Sequence, residues 1–390
     1  TCGLLAYEEH ILLVANGFAG MPWGRADQLR RALVKNRDHA LIDKIGQQFR
    51  ASALQLGRAA EEISAVWNML RDFAGYMFNK AHSAAYAVEA FAGAWIKTRY
   101  PVEFLAAVLS SRRGFYQPIL YVLEALRCGA KFLPPCLHAS DPARFLPTAN
   151  TILLPLNQIK GLSQHSLDRI AALRPFRNPG DFFRQVQPSR SDWLSLLKAG
   201  ALDTFGEPRG RLFWRLQRLE ASSAHANPSL VEPEPPAGYN PDPALAAQWE
   251  SEVLGFPVSL HPLDYFAPKT RWDLYHSAAA LARDQHKLYG KTVRVAGLTV
   301  ASRHHPTPNG TMKFLTLADW TGYHEVALFP PVYRDYGHLT VHPVLAVEAS
   351  LDPYDNRRGF SLIASRLLPP ASDPVTAKHP QQVRQFLQVP

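Results

Sequence analysis

Apolar residues recur at helical spacing through the first third of the chain. In residues 8–18, Ile11, Leu12, Val14, Ala15 and Phe18 share one face, which predicts an amphipathic helix. A second helix begins near Arg25 and carries Leu29, Ala32 and Leu33. A third is expected over 38–56: Asp38 is a good N-cap, Leu41, Ile45, Phe49 and Ala53 fall every fourth residue, and Gly57 stops it. The fourth covers 59–73, with Ile63, Val66, Trp67 and Leu70 inward, and the fifth covers 80–99, with Ala81, Ala84, Ala85, Val88, Ala92 and Trp95 as its packing stripe. Pro101 opens a sixth, because a first helical turn tolerates proline. Near Phe132-Leu133-Pro134-Pro135 the texture changes to short extended pieces such as 151–156, and a compact helical stretch follows over 159–219. From Lys291 the period becomes two, with Val293 and Val295 alternating with Arg294 and Ala296. Further strand candidates are 312–317, 325–329, 344–349 and 360–364. Turn-forming strings separate them (Pro308-Asn309-Gly310, Asp319-Trp320-Thr321-Gly322, Asp352-Pro353-Tyr354-Asp355-Asn356), and five such strands predict a small barrel.

Composition narrows the class. At roughly 150 residues per domain, 390 residues imply two or three domains. A content of 47% hydrophobic and 19% charged residues fits packed cores and excludes disorder, collagen and a disulfide scaffold. Residues 221–243 are proline-rich (Pro228, Pro233, Pro235, Pro236, Pro241, Pro243) and read as a linker, followed by a short helix over 245–254. Three cysteines, Cys2, Cys128 and Cys136, fit a reducing compartment and match no zinc spacing. No apolar run approaches the roughly 20 residues needed to cross a bilayer, and no signal-peptide layout is present. The 42 basic residues exceed the 33 acidic ones by nine, which favours a polyanionic partner, although ordinary enzymes also carry such an excess. Thr1 starts in the middle of a domain-like pattern, so the chain is expected to be a portion of a longer protein.

Candidate chemistry concentrates in Phe78-Asn79-Lys80-Ala81-His82-Ser83-Ala84-Ala85-Tyr86-Ala87. Asn79 caps a helix that starts at Lys80, and a helix N-terminus presents free N–H groups and partial positive charge. Lys80 and His82 add donors there, and Tyr86 shares the face of His82, a combination suited to phosphate. Leu29-Arg30-Arg31-Ala32 is a second basic cluster, and paired guanidinium forks match phosphate oxygens. Both segments also read as ordinary helices with solvated cations.

In order along the chain, Tyr7-Glu8-Glu9, Ala26-Asp27-Gln28-Leu29-Arg30-Arg31-Ala32, the 78–87 string and Lys97-Thr98-Arg99-Tyr100-Pro101-Val102-Glu103-Phe104 resemble the fingers of the bacterial C-family DNA polymerases. These are the alpha subunits of the replicative holoenzyme and their error-prone relatives. The resemblance implies that Arg30, Arg31, Asn79, Lys80, His82 and Tyr86 border the incoming nucleotide. The chain departs from that pattern at Val34-Lys35-Asn36 and at Met77, where glycine is usual. Ile159-Lys160-Gly161-Leu162-Ser163 resembles the hairpin of a helix-hairpin-helix motif, whose backbone amides approach a DNA phosphate. Leu197-Lys198-Ala199-Gly200-Ala201-Leu202-Asp203 resembles the second half of a tandem. Residues 160–220 hold eleven Lys or Arg against six Asp or Glu, which suits non-specific duplex binding. Residues 252–263 resemble the family's connector, where His261 reads as a packed or capping side chain. The barrel resembles an OB-fold, for which Arg294, Arg303, Lys313, Phe314, Trp320, Tyr323 and Phe329 are single-strand candidates, about half of them inward by alternation.

The fold expectation is a multidomain α+β chain: all-helical fingers over 1–130, a tandem helix-hairpin-helix domain over 131–220, linker and connector over 221–290, an OB-like β-barrel over 291–370 and a tail over 371–390. The DNA-binding candidates are Lys160, Gly161, Leu162, Ser163, Lys198, Gly200, Arg294, Lys313 and Phe314. By resemblance the complete protein is a DNA-directed DNA polymerase of the bacterial cytoplasm. It extends a primer on a template from deoxynucleoside triphosphates with Mg2+, and the short sequence after the barrel leans toward the error-prone, lesion-bypass branch. The family's palm carries the metal as an Asp-x-Asp pair, and no Asp-x-Asp occurs here. No catalytic or metal-binding residue is therefore assigned, and the chain alone is expected not to synthesise DNA. In the tail, Gln382 and Phe386 have the offset of a Gln-x-x-Leu-Phe sliding-clamp peptide, but Gln385 replaces the leucine and a helical tail packed on the barrel is the competing reading. Accessory lesion-bypass proteins are further candidate partners, and no membrane contact is expected. The rival reading is a non-catalytic nucleic-acid-binding or scaffold protein derived from a polymerase.

Overall fold

The computed structural model describes residues 3–36, 39–73, 77–224, 240–354 and 359–370. Most of the proline-rich stretch, the tail after residue 370, and Asp38 and Asp355 lie outside the described residues. The chain divides into two compact units, Thr1–Arg99 and Tyr100–Pro390.

The first unit is helical: α1 (Glu8–Gly17), α2 (Trp23–Arg31) running into a π-helical turn at Ala32–Asn36, α3 (His39–Gln55), α4 (Ala60–Phe73) and α5 (Lys80–Arg99). The period-of-four positions form its core. Ile11, Leu29, Ile45, Phe49, Trp67 and Leu70 are buried together, and the Phe49 and Trp67 rings lie 5.4 Å apart. Each such side chain contributes about 1.5–3 kcal/mol by leaving water. Gly46 lets α3 and α4 meet, since a Cβ there would stand 2.5 Å from the Trp67 ring. The stripe expected on α5 differs: no residue of that helix is buried. Alanine favours helix through backbone propensity whether or not a partner covers it, so an alanine-rich stripe does not report packing.

The second unit begins with α6 (Pro101–Ser111) and α7 (Pro118–Arg127), then β1 (Lys131–Leu133), β2 (Leu146–Thr148) and β3 (Thr151–Leu153) in the order β1-β3-β2. It continues through α8 (Gln164–Leu173), α9 (Pro179–Val186), α10 (Arg190–Lys198), α11 (Arg209–Ala224) and α12 (Pro243–Leu254). Leu105, Ile152, Leu156, Phe182, Trp193, Leu212 and Leu254 share one core, so α6 and α7 pack with the elements that follow them. The helix ends carry their own signals. Asn178, Ser189 and Asp242 each accept a hydrogen bond from the backbone N–H three residues on, as N-caps do. The connector is tied in by α12: the Lys160 N–H donates to the Val253 carbonyl at 2.8 Å, and Gln158 Nε2 donates to the Leu254 carbonyl at 2.7 Å.

After α13 (Pro262–Phe266) and α14 (Ala278–Leu288) come β4 (Thr292–Thr307), β5 (Gly310–Ala318), β6 (Tyr323–Leu328), α15 (Pro330–Tyr336), β7 (Val344–Pro353) and β8 (Phe360–Leu368). The strands close into a barrel in the order β4-β5-β6-β8-β7, with β6 and β8 parallel and β7 returning to β4. This five-stranded barrel, with a helix between its third and fourth strands, has OB-like topology. β4 serves two neighbours: 292–298 pair with β7, and 298–307 pair with β5, with an irregularity between Thr299 and Ala301. Gly297 sits at that corner, where a Cβ would lie 2.6 Å from the Ala318 carbonyl oxygen. Backbone cannot yield as a flexible side chain can, so Gly297→Ala is expected to cost about 1–3 kcal/mol, read as a lower denaturant midpoint of the barrel. The barrel docks on α7, where Tyr323 Oη donates to the Leu120 carbonyl at 3.2 Å beside buried Glu124.

Candidate functional site

The first cluster is organised by two adjacent carboxylates. Parallel backbone hydrogen bonds join the start of α1 to the segment before α5: Glu8 N–H donates to the Phe78 carbonyl at 2.9 Å and Phe78 N–H to the Ala6 carbonyl at 3.1 Å. Glu8 then receives the Arg30 guanidinium at 2.7 Å, while Glu9 accepts the Lys80 N–H at 3.0 Å. Arg30 on α2 and the N-terminus of α5 are thus fastened to one dipeptide. Asp27 completes the arrangement, holding Arg30 at 2.9 Å and Arg31 at 2.8 Å. The Arg30 hydrogen bond holds the Asp27 carboxyl below its usual range, against a smaller burial penalty. Asn79 Oδ1 caps α5 through the His82 N–H at 2.9 Å, and the His82 and Tyr86 rings lie 4.4 Å apart on the exposed face. The sequence pattern contained Glu8 and Glu9 but did not signal their role, because it depends on a contact 71 residues away.

The hairpin residues are held differently in the two halves. In the first, Lys160 and Gly161 are exposed, and Gly161 has φ +82, a left-handed conformation that glycine adopts without strain. Ser163 caps α8 and is itself bound to Asp192: its N–H donates at 2.7 Å and its hydroxyl at 3.0 Å. Asp192 also accepts from the hydroxyls of Ser166 at 2.9 Å and Ser189 at 2.8 Å. Burial alone would raise the Asp192 carboxyl, but these donors outweigh it and hold it below the usual range. Leu162 is half-buried against the core. In the second half Gly200 is buried, with the Arg209 guanidinium packed where its Cβ would be. Arg209 pairs with Asp203 at 2.8 Å and Glu250 at 3.5 Å, and Lys198 pairs with Glu252 at 2.7 Å. The two hairpins are therefore not equivalent: the first turn is open to solvent and the second is closed by an ion-pair network reaching α12. Asp192 was missed in the sequence, although Ser189-x-x-Asp192 has the spacing of a capping box.

In the barrel, alternation separates the candidates. Lys313 points inward, where its ammonium donates to Thr340 Oγ1 at 2.8 Å and lies 5.8 Å from the Tyr333 ring centre, and burial lowers its pKa. Phe314 points the other way and pairs across the sheet with Arg303, whose guanidinium lies 5.2 Å from the ring centre. Arg294 is exposed and paired with Glu348 at 2.7 Å. Tyr323 is committed to α7, Trp320 stacks on His261 at 4.2 Å, and Phe329 is exposed. His261 accepts the Leu263 N–H at 3.2 Å, the capping role expected of it. In the outward Arg303–Phe314 pair, charge and aromatic surface are adjacent.

Among the described residues no three His, Cys, Asp or Glu side chains are grouped to hold a metal ion, and no helix is long and apolar enough to cross a membrane.

Comparison with known proteins places these segments. Residues 1–57 match the bacterial DNA polymerase III alpha subunit finger domain, and residues 129–212 match a helix-hairpin-helix motif. The DNA polymerase III subunit alpha of Thermus aquaticus is 33% identical over 360 residues, covering 86% of this chain and 29% of that protein. That of Escherichia coli O157:H7 is 28% identical over 396 residues, covering 94% and 34% respectively. The error-prone DNA polymerase of Teredinibacter turnerae is 29% identical over 368 residues, covering 90% and 35%. The chain spans about a third of the length of these curated relatives. Over most of its length it belongs with the bacterial DNA polymerase III alpha and error-prone DNA polymerase family, as a C-terminal-like portion of it.

Proposed function

We propose that this chain is the nucleotide- and DNA-holding portion of a DNA-directed DNA polymerase. Its regions are fingers, a helix-hairpin-helix region and an OB-like barrel, with a connector and a tail. The observation that carries the reading is the Glu8–Glu9 dipeptide, which fastens Arg30 and the α5 N-terminus to one polar corner. In this role Arg30, Arg31 and Lys80 face the phosphates of a deoxynucleoside triphosphate, and Asn79, His82 and Tyr86 shape the helix end beside them. Lys160 and Gly161 at the open hairpin approach the backbone of primer-template duplex, and Arg303 with Phe314 receives single strand. Nucleotidyl transfer of this class is metal-dependent, with Mg2+ the proposed ion. Among the described residues these carboxylates do not form a metal site, so Glu8 and Asp27 are assigned to positioning the Arg30 and Arg31 guanidinium groups and Glu9 to the Lys80 backbone amide. The sliding clamp and lesion-bypass proteins are proposed partners of the complete protein; clamp recovery that is equal with and without residues 381–390 would exclude the tail as a contact.

One observation favours the non-catalytic reading. Arg30 is already neutralised by two carboxylates, and Glu9 occupies the amide that a phosphate would take. An incoming triphosphate must displace a carboxylate, in the way anions exchange at a helix N-terminus. Titration of the full chain with a fluorescent deoxynucleoside triphosphate decides between the readings. Saturable binding, weakened about tenfold in Lys80→Ala by loss of a charge-assisted contact, supports the substrate role. DNA binding without any triphosphate binding supports the scaffold.

A further inference from the structure

We propose that the cleft between the end of α6 and the start of α7 holds an unpaired nucleobase of single-stranded DNA. Its rim, residues 108–121, lies outside both segments that match family models, while Phe145 and Gln158 belong to the helix-hairpin-helix match. The cleft encloses about 430 Å³, a volume in the range of small-molecule sites. Val108, Leu109, Phe145 and Phe256 supply apolar walls. Its rim is built by an unusual loop. Arg112 ends α6 in a left-handed conformation, φ 50, and Gly114 follows, where any Cβ would overlap the Tyr121 ring. The chain then turns Phe115 outward, 92% exposed, with Tyr116 48% exposed beside it at 5.0 Å and in edge contact with Tyr121 at 6.4 Å.

Three features select a nucleobase over another occupant. Adjacent aromatic faces at a cleft mouth stack any base, since every base has a π-face. The polar groups match a nucleotide: Arg112 is oriented by the Asn157 side chain at 2.6 Å, Arg113 is exposed next to it, and Gln117, the α7 N-cap, makes no side-chain cap bond, leaving an amide for a base edge. No carboxylate lines the cleft, so a polyanion meets only cations and neutral groups. Gln158 lines it as well, two residues before Lys160 of the open hairpin, so a strand leaving a duplex gripped there has a short path to Phe115.

The proposal rests on the reading that this chain binds DNA, and the test separates the two. The full chain is irradiated with an oligo-dT strand carrying one 5-iododeoxyuridine, and cross-linked peptides are mapped. Single-strand and duplex affinities of wild type and of the Phe115→Ala/Tyr116→Ala double variant are measured in parallel. The expected result is cross-linking at Phe115 or Tyr116 and about tenfold weaker single-strand binding by the double variant, with duplex binding unchanged. Phe115→Tyr/Tyr116→Phe, which keeps both rings, should bind as wild type does. Cross-links confined to the barrel strands, or a double variant that holds single strand as wild type does, would overturn the proposal. So would a double variant that differs from wild type only in self-association by sedimentation, which would make the loop a protein contact. A wild-type chain that binds neither single strand nor duplex removes both readings.

Discussion

Duplex DNA should dissociate from this chain steeply as salt rises. The stretch 160–220 carries five more basic than acidic residues, and Lys160 stands exposed at the open hairpin turn. Each phosphate neutralised releases a counterion, so affinity falls as a power of salt with an exponent of about 0.9 per contact. Four contacts give a slope of about −3.6, and moving from about 50 to 200 mM salt then weakens binding about 150-fold. The structure limits how many cations are free for this. Lys198, Arg209 and Arg215 are paired with Glu252, Asp203 and Glu207, so these three contribute less to the slope. Fluorescence anisotropy on duplexes of unrelated sequence checks the point, with little difference expected among them. A flat salt response would mean that the excess charge does not meet phosphate, and the hairpin assignment would fall.

The second large effect is expected at Asp192. Replacing it with alanine removes a buried acceptor that takes two hydrogen bonds from Ser163, one from buried Ser166 and two from Ser189, through its hydroxyl and its backbone N–H. Hydrogen bonds to a charged group are worth about 1.5–3 kcal/mol each, and buried donors left without an acceptor add their desolvation cost. Partial relaxation of the serine rotamers recovers some of this, so a net loss of about 3 kcal/mol is expected in denaturant unfolding of Asp192→Ala. The Asp192→Asn variant keeps one acceptor oxygen and should lose less. The pH dependence has a fixed sign. A carboxyl held lower in the folded chain than in the unfolded one stabilises the fold fully above the unfolded value, about 3.9. That stabilisation disappears as pH falls from there through the lower folded value. Wild type should therefore lose stability below about pH 4 more steeply than Asp192→Ala. A variant as stable as wild type at neutral pH would show that the hairpin does not depend on this carboxylate.

Much of the element map was legible because it is local. The helices of the first unit fall within two residues of their expected ends, and every barrel strand was located. Backbone geometry imposes periods of 3.6 and 2, and Asn79, Pro101 and Gly255 mark ends by their own chemistry. Four helices, α7, α13, α14 and α15, went unread: α13 and α15 are only five and seven residues long, α7 is framed by an irregular aromatic loop, and α14 follows a turn whose cap, Ser277, is joined by barrel residues 42 positions away. The boundary near residue 130 was placed where the sequence texture changes, whereas compactness divides the chain after Arg99. Texture reports the element type, and core membership depends on which apolar faces meet.

The sequence by itself determined helix against strand, the caps, the basic excess and the family to which the segments belong. Tertiary structure alone decided which candidates have a surface to offer. Lys313 and Phe314 are neighbours of similar promise in the sequence, yet β5 places the ammonium against Tyr333 and the ring against Arg303, because successive strand residues face opposite sides. Gly161 and Gly200 share a left-handed turn, but α12 and Arg209 close over the second and leave the first open. Arg30 and the Lys80 amide are brought together by Glu8 and Glu9. Local pattern is set by interactions a few residues long, and these outcomes depend on contacts between separate elements, up to 71 residues apart for Lys80 and Glu9, which exist only once the cores have formed.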